Sequence, residues 1–248
     1  MTESLVARAR RPAALHAGGR PLVLPTLWDA RLARTAVAAG FEALTIGSHP
    51  PAGSRGAQDD EGETFAEVVA AVRPIVAAVD VPVSVDLEAG YGQSPPDLIA
   101  GPLDAGAVGL NIEDTVHSEG GARAARGNTP ATSQGCGQRR IRQACLCGSA
   151  AAPTCSGTTA VAGEAVHRLR ALVQAGAKSV YPVKIQDNDE LITVAVEAVP
   201  GPVNCTAHPV RHDLARFARL GVGRITYGPL LQGALTEAMT EMIGPWSR

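Results

Sequence analysis

The chain has 248 residues, of which 45% are hydrophobic, and a formal net charge of −2 at pH 7. This length is enough for one barrel-sized domain or two small domains. The small net charge gives no basic field for nucleic acid, and no run of about 18 apolar residues predicts a membrane span. The N-terminal stretch MTESLVARARRPAALHAGGRP has no apolar signal-peptide core, so we expect an amphipathic helix, a cytoplasmic location and small soluble partners.

Apolar, β-branched runs alternate along the chain with amphipathic stretches rich in Ala, Leu and Arg. This alternation is typical of repeated βα units around a parallel sheet. The predicted strands are 21–26, 43–48, 81–87, 107–114, 179–184, 201–206 and 223–228. Helices are predicted between most of these strands, for example over 28–39, 64–79, 161–175 and 187–198. Glycines that follow helical stretches are expected to cap them in the left-handed conformation: Gly40, Gly106, Gly176 and Gly221.

The number of units favours one α/β fold over others. Seven units exceed what a doubly wound sheet needs, whereas a (β/α)8 barrel requires one more unit between residues 115 and 178. From about 122 to 160, however, the chain is rich in Ala, Gly, Arg, Thr and Cys without an apolar period. We therefore expect a single barrel domain over 1–248 with an irregular fifth strand. In it, 122–160 would be a poorly structured insert that replaces the fourth helix and fifth strand.

Acidic residues follow two neighbouring predicted strands. Asp86 and Glu88 are two positions apart in VDLEAGYGQ, which places them on the same face of a strand. Glu113 and Asp114 follow the next strand, and Asp59 or its neighbour could join them from a loop. Like charges this close raise each other's pKa, so we expect a divalent cation, and oxygen-only ligands favour Mg²⁺ or Mn²⁺ over zinc. Solvated loop carboxylates or helix N-caps are the alternative.

Other side chains lie near the same strand ends. Gly47 and Ser48 could offer backbone N–H groups and a hydroxyl to an anionic ligand, although a surface turn is the simpler interpretation. His117, beside the acidic pair, is a candidate for proton transfer or an ordinary loop histidine. Trp28 starts a helix and is interpreted as packing over the barrel mouth. A Schiff-base aldolase would need Lys184 inside the barrel, and that chemistry has no use for the acidic cluster.

Six segments carry a resemblance to a known family: LPTLWDARLARTAVAAGFEALTIGS, VPVSVDLEAGYG, AGAVGLNIEDT, AGAKSVYPVK, GPVNCTAHP and LGVGRITYGPLL. Together they resemble the isocitrate lyase and phosphoenolpyruvate mutase superfamily, over roughly residues 10–121 and 162–235. The most specific signal is DLEAGYG followed about 25 residues later by NIED. The resemblance implies a (β/α)8 barrel, Mg²⁺, a small 2-oxo or 2-hydroxy acid substrate, and dimers or tetramers that often exchange the last helix.

The resemblance also implies roles for individual residues. Asp86 matches the principal metal carboxylate, while Glu88 and Glu113 match groups that hold the metal through water. Asp59 matches a further acid of that metal site. Gly47 and Ser48 match the groups that bind the carboxylate or phosphonate end of the substrate. The candidate substrate contacts are Trp28, Gly47, Ser48 and Asn204, and the candidate catalytic residues are Glu113 and His117.

Two family motifs are absent. The loop TVHSEGG after the fourth strand lacks the cysteine and lysine of a KKCGH-type loop, so isocitrate lyase activity itself is not expected. The family's fifth strand ends in an Asn-Ala/Gly-Arg-Thr-Asp string whose Arg binds the substrate carboxylate, and this chain has no such string. We therefore expect an impaired, homo-oligomeric, Mg²⁺-dependent lyase or phosphonomutase-like enzyme. The alternative is a catalytically inactive barrel that binds a small acid or a partner subunit.

Three of the five cysteines lie in QACLCGSAAAPTCSG, residues 143–157. A zinc site lacks a convincing fourth ligand there, and the C-x-C spacing is not the C-x-x-C redox form. Back-translation of Asn128–Cys155, read two nucleotides later, can give HAGYIAGLRPAADPAGVPVWISGRTDLF, with a helix, an apolar strand and R-T-D in family order. We therefore expect 122–160 to be an out-of-frame translation between compensating shifts. The barrel would then close poorly or recruit a substitute strand near ACLCGS.

Overall fold

A computed structural model of the chain describes residues 19–56, 62–113 and 159–247, together with several two-residue strands between 115 and 152. Near the N-terminus it describes Ala7, Arg8, Arg10, Arg11 and Leu15, all of them helical, in agreement with the amphipathic helix predicted there. The predicted site residues Asp59, Asp114 and His117 lie outside the described residues.

The secondary structure alternates between strands and helices. The strands are β1 (Leu22–Leu24), β2 (Thr26–Leu27), β3 (Leu44–Ile46), β4 (Val83–Asp86), β5 (Gly109–Asn111), β6 (Thr115–Val116), β7 (Ala122–Arg123), β8 (Leu146–Cys147), β9 (Ala151–Ala152), β10 (Tyr181–Pro182), β11 (Asn204–Thr206) and β12 (Arg224–Thr226). The helices are α1 (Ala30–Ala38), α2 (His49–Ser54), α3 (Phe65–Ala77), α4 (Pro95–Asp104), α5 (Thr159–Gln174), α6 (Asp189–Ala198), α7 (Leu214–Arg219) and α8 (Pro229–Ile243), followed by a 3₁₀ turn over Gly244–Trp246.

Parallel strands close into a ring. On one side β2, β3, β4, β5 and β8 are neighbours in that order, and on the other β1 pairs with β12, which pairs with β11. A bridge between Val180 and Val203 connects β11 to the start of β10, and β10 pairs with β9. Pro25 separates β1 from β2, because proline has no N–H to donate to the sheet. In the described part of the chain, eight strand positions thus form a (β/α)8 barrel, as predicted.

The fifth strand position is occupied by two fragments. β8 pairs with β5 through Leu146 opposite Gly109, and β9 pairs with β10 through Ala151 opposite Tyr181. Each fragment has only two residues, and β8 lies inside ACLCGS, residues 144–149. The prediction of a substitute strand there is confirmed. That 122–160 is a poorly structured insert stays a prediction.

The helices begin where their sequences provide caps. The Asp29 carboxylate accepts the Leu32 N–H at 2.8 Å before α1. At α3, the Thr64 hydroxyl accepts the Glu67 N–H at 3.3 Å and the Glu67 carboxylate accepts the Thr64 N–H at 2.7 Å. Such caps satisfy N–H groups that have no partner within the first helical turn. The four predicted helices are confirmed with ends shifted by at most two residues.

Glycines end several units as predicted. The glycines at the four predicted positions have left-handed φ values of +95°, +91°, +102° and +78°, in chain order. The short helix α2 lies outside the predicted ranges and forms within SHPPAGS, where prolines occupy its first turn. Proline is compatible with that position because its missing N–H has no helical partner there.

The hydrophobic core lies between the barrel wall and the helices. Outward-facing Val83, Val85 and Leu110 pack with Val72 of α3 and Leu98 of α4. A second cluster covers the other half of the wall and includes Leu169, Ile192, Cys205, Phe217 and Ile225.

The inward-facing side chains are mostly polar: Thr26, Thr45, Ser84, Tyr181, Asn204, Thr206, Arg224 and Thr226. Barrel interiors are commonly filled by branched apolar side chains. The polar interior therefore indicates a site at one end of this barrel.

One predicted alternative is wrong. Lys184 lies in an exposed turn after β10 with a φ of +64°, and not inside the barrel, so it does not provide the interior lysine of a Schiff-base aldolase. Among the described helices, none is long and apolar enough to cross a bilayer.

Candidate active site

Three carboxylates lie at the ends of two adjacent strands. Asp86 is the last residue of β4 and pairs in register with Asn111, the last residue of β5. Glu88 and Glu113 each lie two residues further along the chain. The Glu88 N–H donates to the Asp86 carboxylate at 3.2 Å, and the Glu113 N–H donates to the Glu88 carbonyl at 2.6 Å. The structure therefore brings together Asp86, Glu88 and Glu113 at the carboxyl-terminal edge of the barrel, which we call the acidic edge.

The chemistry of the acidic edge suits a hard cation, because its donors are carboxylate oxygens. Among the described residues, no three His, Cys, Asp or Glu side chains stand close enough together to hold an ion directly. Mg²⁺ commonly keeps several waters and takes only one or two protein carboxylates. The residues present therefore fit an ion that is held partly through water, as the sequence predicts, and do not form a closed cage.

Glu88 is the most buried of the three acids, with 5% of its surface exposed. The Tyr91 hydroxyl donates to its Oε1 atom at 2.6 Å. Both residues have a positive φ, +44° at Glu88 and +52° at Tyr91, which is unfavourable for residues with a side chain. The loop after β4 is thus held in a strained conformation that points a tyrosine hydroxyl at a carboxylate.

A buried arginine lies beneath the acidic edge. Arg224 crosses the barrel from β12, and its Nη2 atom is 3.5 Å from the Ser84 hydroxyl on β4. Burial lowers the pKa of Arg224 to about 10, an effect opposed by the charge of Asp86. Because this pKa stays well above 7, the guanidinium is cationic at neutral pH and places a fixed positive charge under the carboxylates.

Tyr181 lines the same interior. Its hydroxyl contacts the Thr206 hydroxyl, and burial raises the pKa of Tyr181 to about 12. The charges of Asp86 and Glu113 add to this increase. Tyr181 therefore stays protonated at neutral pH and faces the acidic edge as a neutral hydroxyl.

Gly47 and Ser48 follow β3 and line a small cavity together with Asp86 and Tyr91. A Cβ atom on Gly47 would lie 2.8 Å from the Cγ2 atom of Thr26, so glycine is required for the close approach of the two strands. The predicted anion-binding pair is therefore next to the acidic edge. Its contact with a ligand stays a prediction.

The same cavity is bordered by an ion pair. Arg55 donates to the two carboxylate oxygens of Glu63 at 2.9 and 2.5 Å. The pair connects the two ends of the segment that contains Asp59, which itself lies outside the described residues.

Of the two further predicted contacts, only Asn204 lies away from the carboxyl end of its strand. Asn204 is buried at the first residue of β11, not at its carboxyl end, and its Nδ2 atom donates to the Thr226 hydroxyl at 3.0 Å. Trp28 is half-buried directly after β2. Substrate binding by Asn204 and Trp28 stays a prediction, as does proton transfer by His117.

Sequence reasoning missed the residues that support the acids. Arg224 could have been noticed because it is a charged residue inside the predicted strand GRITYG, where a buried charge needs compensation. Tyr91 lies three residues after Glu88 between two glycines, but its contact depends on the loop conformation. The alternation of strand side chains alone places Tyr181 on a face, without indicating which one.

The chain resembles known proteins over most of its length. The sequence profile of the family described as phosphoenolpyruvate phosphomutase matches residues 13–244. Over 101 residues the chain is 34% identical to the uncharacterized protein Rv1998c of Mycobacterium tuberculosis (strain ATCC 25618 / H37Rv). That match covers 41% of this chain and only 39% of the length of the relative.

Three solved structures share the fold. A candidate phosphonomutase from Burkholderia cenocepacia J2315 has a TM-score of 0.85 at 30% identity, over 96% of this chain and 99% of that chain. A 2,3-dimethylmalate lyase has a TM-score of 0.82 at 23% identity, over 99% and 85%. A phosphonopyruvate hydrolase, solved with oxalate and Mg²⁺, has a TM-score of 0.78 at 19% identity, over 98% and 88%. The profile match, supported by the first of these structures, shows that the chain belongs to the phosphoenolpyruvate phosphomutase family.

Proposed function

We propose that this protein is a Mg²⁺-dependent enzyme that forms or breaks a C–C or P–C bond in a small 2-oxo or 2-hydroxy acid, through an enolate-like species. The observation that carries this proposal is the meeting of Asp86, Glu88 and Glu113 at one edge of a polar barrel. The family membership supports the reaction class. The relative solved with oxalate and Mg²⁺ supports a small acid as the ligand.

The acidic edge would hold the metal ion. In the proposal, Asp86 binds Mg²⁺ or Mn²⁺ directly, Glu88 and Glu113 hold it through water, and Asp59 contributes a further carboxylate. When bound, the ion supplies positive charge that polarises the 2-oxo oxygen and stabilises the developing enolate charge. The ion would also offset the like charge that the three carboxylates place at one edge of the barrel.

The chain's own residues would orient the acid. Gly47 and Ser48 line a cavity with Asp86, so their N–H groups and hydroxyl are available for the carboxylate or phosphonate end of the substrate. Trp28 and Asn204 are further candidate contacts. The cationic Arg224 would offset part of the negative charge that a bound acid adds to this end of the barrel.

Proton movement is assigned to Glu113 and His117. Glu113 is at the acidic edge, where its charge reaches the Tyr181 hydroxyl. His117 follows four residues later in the chain, and an imidazole side chain can both accept and donate a proton.

A second candidate is a barrel that binds a small acid or a partner subunit without turnover. The observation that favours it is the fragmented fifth strand, β8 and β9, together with the missing Arg-Thr-Asp string. An arginine that binds the substrate carboxylate through two hydrogen bonds positions the substrate as well as attracting it. We therefore expect any turnover by this chain to be slow.

Solvent deuterium exchange distinguishes the two candidates. Pyruvate and oxaloacetate are incubated with the protein in D₂O, and NMR follows deuterium incorporation with Mg²⁺ or with EDTA. We expect slow exchange that requires Mg²⁺ and is lost in Asp86→Asn. The matched control is Glu190→Gln, an exposed carboxylate in the first turn of α6, which should exchange at the wild-type rate.

The opposite result is equally clear. If oxalate binds in calorimetry but no substrate exchanges in either metal condition, the enzymatic proposal is wrong and the binding barrel is supported. A family-typical rate would instead contradict the expected impairment.

We also propose that the protein forms homo-oligomers. No residue of α8 is buried in the single chain, and Leu235, Met239 and Met242 are exposed. A groove of about 700 Å³ lies outside β1 and β12, next to α7. Large exposed apolar surfaces commonly mark contact sites, and we infer that α8 of a second copy packs in this groove. A cytoplasmic location remains a prediction.

A further inference from the structure

The loop after β4 is held in a defined conformation, which metal binding by Asp86 alone does not require. Leu87 accepts the Gly90 N–H at 2.8 Å, and Gly90 accepts the Gln93 N–H at 2.9 Å. Glu88 and Tyr91 adopt left-handed backbone conformations within this double turn. This conformation is unfavourable for residues with a side chain, and such strain persists only where surrounding contacts hold it.

The contacts that hold the loop converge on Glu88. Its N–H is bound by Asp86, its carbonyl by the N–H of Glu113, and its carboxylate by the hydroxyl of Tyr91. The last of these bonds, at 2.6 Å, has the short length of an O–H donor on a charged carboxylate, which is the stronger class of hydrogen bond. With 5% exposure, Glu88 has little water to compete with that donor.

The tyrosine ring is itself fixed by packing. Its centroid lies 6.3 Å from that of Phe65, at an angle of 43°. Phe65 in turn packs on Gly101 of α4, where a Cβ atom would lie 2.8 Å from the phenylalanine ring. A chain of contacts therefore runs from Gly101 through Phe65 and Tyr91 to Glu88.

We propose that Tyr91 is a positioning residue that holds the Glu88 carboxylate in the orientation needed for the metal ion. This inference rests on the proposed function, because it concerns the same acidic edge. Groups that orient metal ligands typically change metal affinity by about 10- to 100-fold when they are removed. Tyr91→Phe removes only the hydroxyl and keeps the ring packed on Phe65.

The test is a double-mutant cycle with metal affinity as the readout. Mn²⁺ binding is measured by electron paramagnetic resonance, without substrate, in wild type, Tyr91→Phe, Glu88→Gln and the double variant. We expect Tyr91→Phe to weaken Mn²⁺ binding about 10-fold or more. In the Glu88→Gln background, the same change should have little further effect, because the carboxylate that Tyr91 orients is gone.

Two measurements separate positioning from a general structural role. Tyr227→Phe removes the hydroxyl of a buried tyrosine in the second core cluster and should leave Mn²⁺ affinity unchanged. Thermal unfolding by circular dichroism shows whether each variant folds. If Tyr91→Phe weakens binding equally with and without the Glu88 carboxylate, Tyr91 acts on the fold in general and the inference is wrong.

The remaining outcomes are also decisive. Wild-type Mn²⁺ affinity retained in Tyr91→Phe but reduced in Glu88→Gln overturns the role of Tyr91 alone and leaves the proposed function standing. Wild-type protein without Mn²⁺ affinity overturns both proposals.

Discussion

At the scale of single residues, the site depends on close contacts between strands as much as on its acids. Gly47 allows β3 to approach β2, and the Thr26 hydroxyl on β2 accepts the Gly228 N–H at 2.8 Å from the loop after β12. The end of the first barrel strand is thus tied to both neighbours. The close contact between Gly47 and Thr26 positions the end of β3, from which Ser48 reaches the cavity beside Asp86.

Gly47→Ala tests this contact. The added Cβ would lie 2.8 Å from Thr26 Cγ2 and 3.3 Å from Pro50 Cδ, so we expect a loss of about 1–3 kcal/mol in the free energy of unfolding. Thr26→Ser removes the opposing methyl group and keeps the hydroxyl. The double variant Thr26→Ser, Gly47→Ala should therefore recover much of the loss in urea denaturation. Equal stability of Gly47→Ala and wild type would show that the strands separate without cost.

At the scale of elements, the helices were more predictable than the strands. Amphipathic periodicity and local capping residues, such as Asp29 before α1, contain most of the information for a helix. Strands of two to four residues carry a weaker signal, and the predicted runs extend beyond the paired residues. The short α2 was missed because HPP is more often read as a turn.

The supporting residues of the site could not be found from local patterns. The contact between Arg224 and Ser84 joins residues 140 positions apart, and that between Tyr181 and Thr206 joins residues 25 apart. The three acids were predictable because the ends of parallel strands meet at one edge of a barrel, and because the motif that contains them is specific.

The last helix offers a test at the same scale. On α8, Leu235, Met239 and Met242 are spaced by four and three residues and therefore share one face. If this face packs on a second copy, Met239→Glu should convert an oligomer to a monomer in analytical ultracentrifugation, because a charge would be buried in the apolar groove.

The matched control is Thr240→Glu, which adds the same charge on a different face of α8. It should leave the sedimentation coefficient unchanged. Wild-type protein that sediments as a monomer at micromolar concentration would contradict the oligomer proposal.

At the scale of the whole molecule, the ring of strands is complete except at one position. The fragments β8 and β9 stand where a continuous fifth strand belongs. In the alternative reading frame, the apolar stretch VPVWIS falls on residues 144–149, the same positions as ACLCGS, which contains β8. The arginine of R-T-D falls on position 151, where Ala151 pairs in register with the inward-facing Tyr181.

The interpretation of 122–160 as an out-of-frame translation stays a prediction, and it would account for a strand at this position. In the structure, β8 pairs with β5. The alternative frame, which codon degeneracy permits, places an apolar stretch at these residues. The two agree on the position of the strand. Resequencing the coding DNA tests the inference directly, since the codons for 128–155 must read HAGYIAGLRPAADPAGVPVWISGRTDLF two nucleotides later.

Replacing residues 128–155 by that peptide should restore both stability and activity. A continuous apolar strand would bury at least two large side chains, each contributing about 1.5–3 kcal/mol, so the Tm should rise by roughly 6–24 °C. The arginine would face the barrel interior beside Tyr181 and bind the substrate carboxylate, which should increase Mg²⁺-dependent exchange by at least about 10-fold. A scrambled peptide of the same composition is the control and should improve neither property. If the unaltered chain and the variant melt at the same temperature and exchange substrate at the same rate, the displaced strand has no role in this barrel.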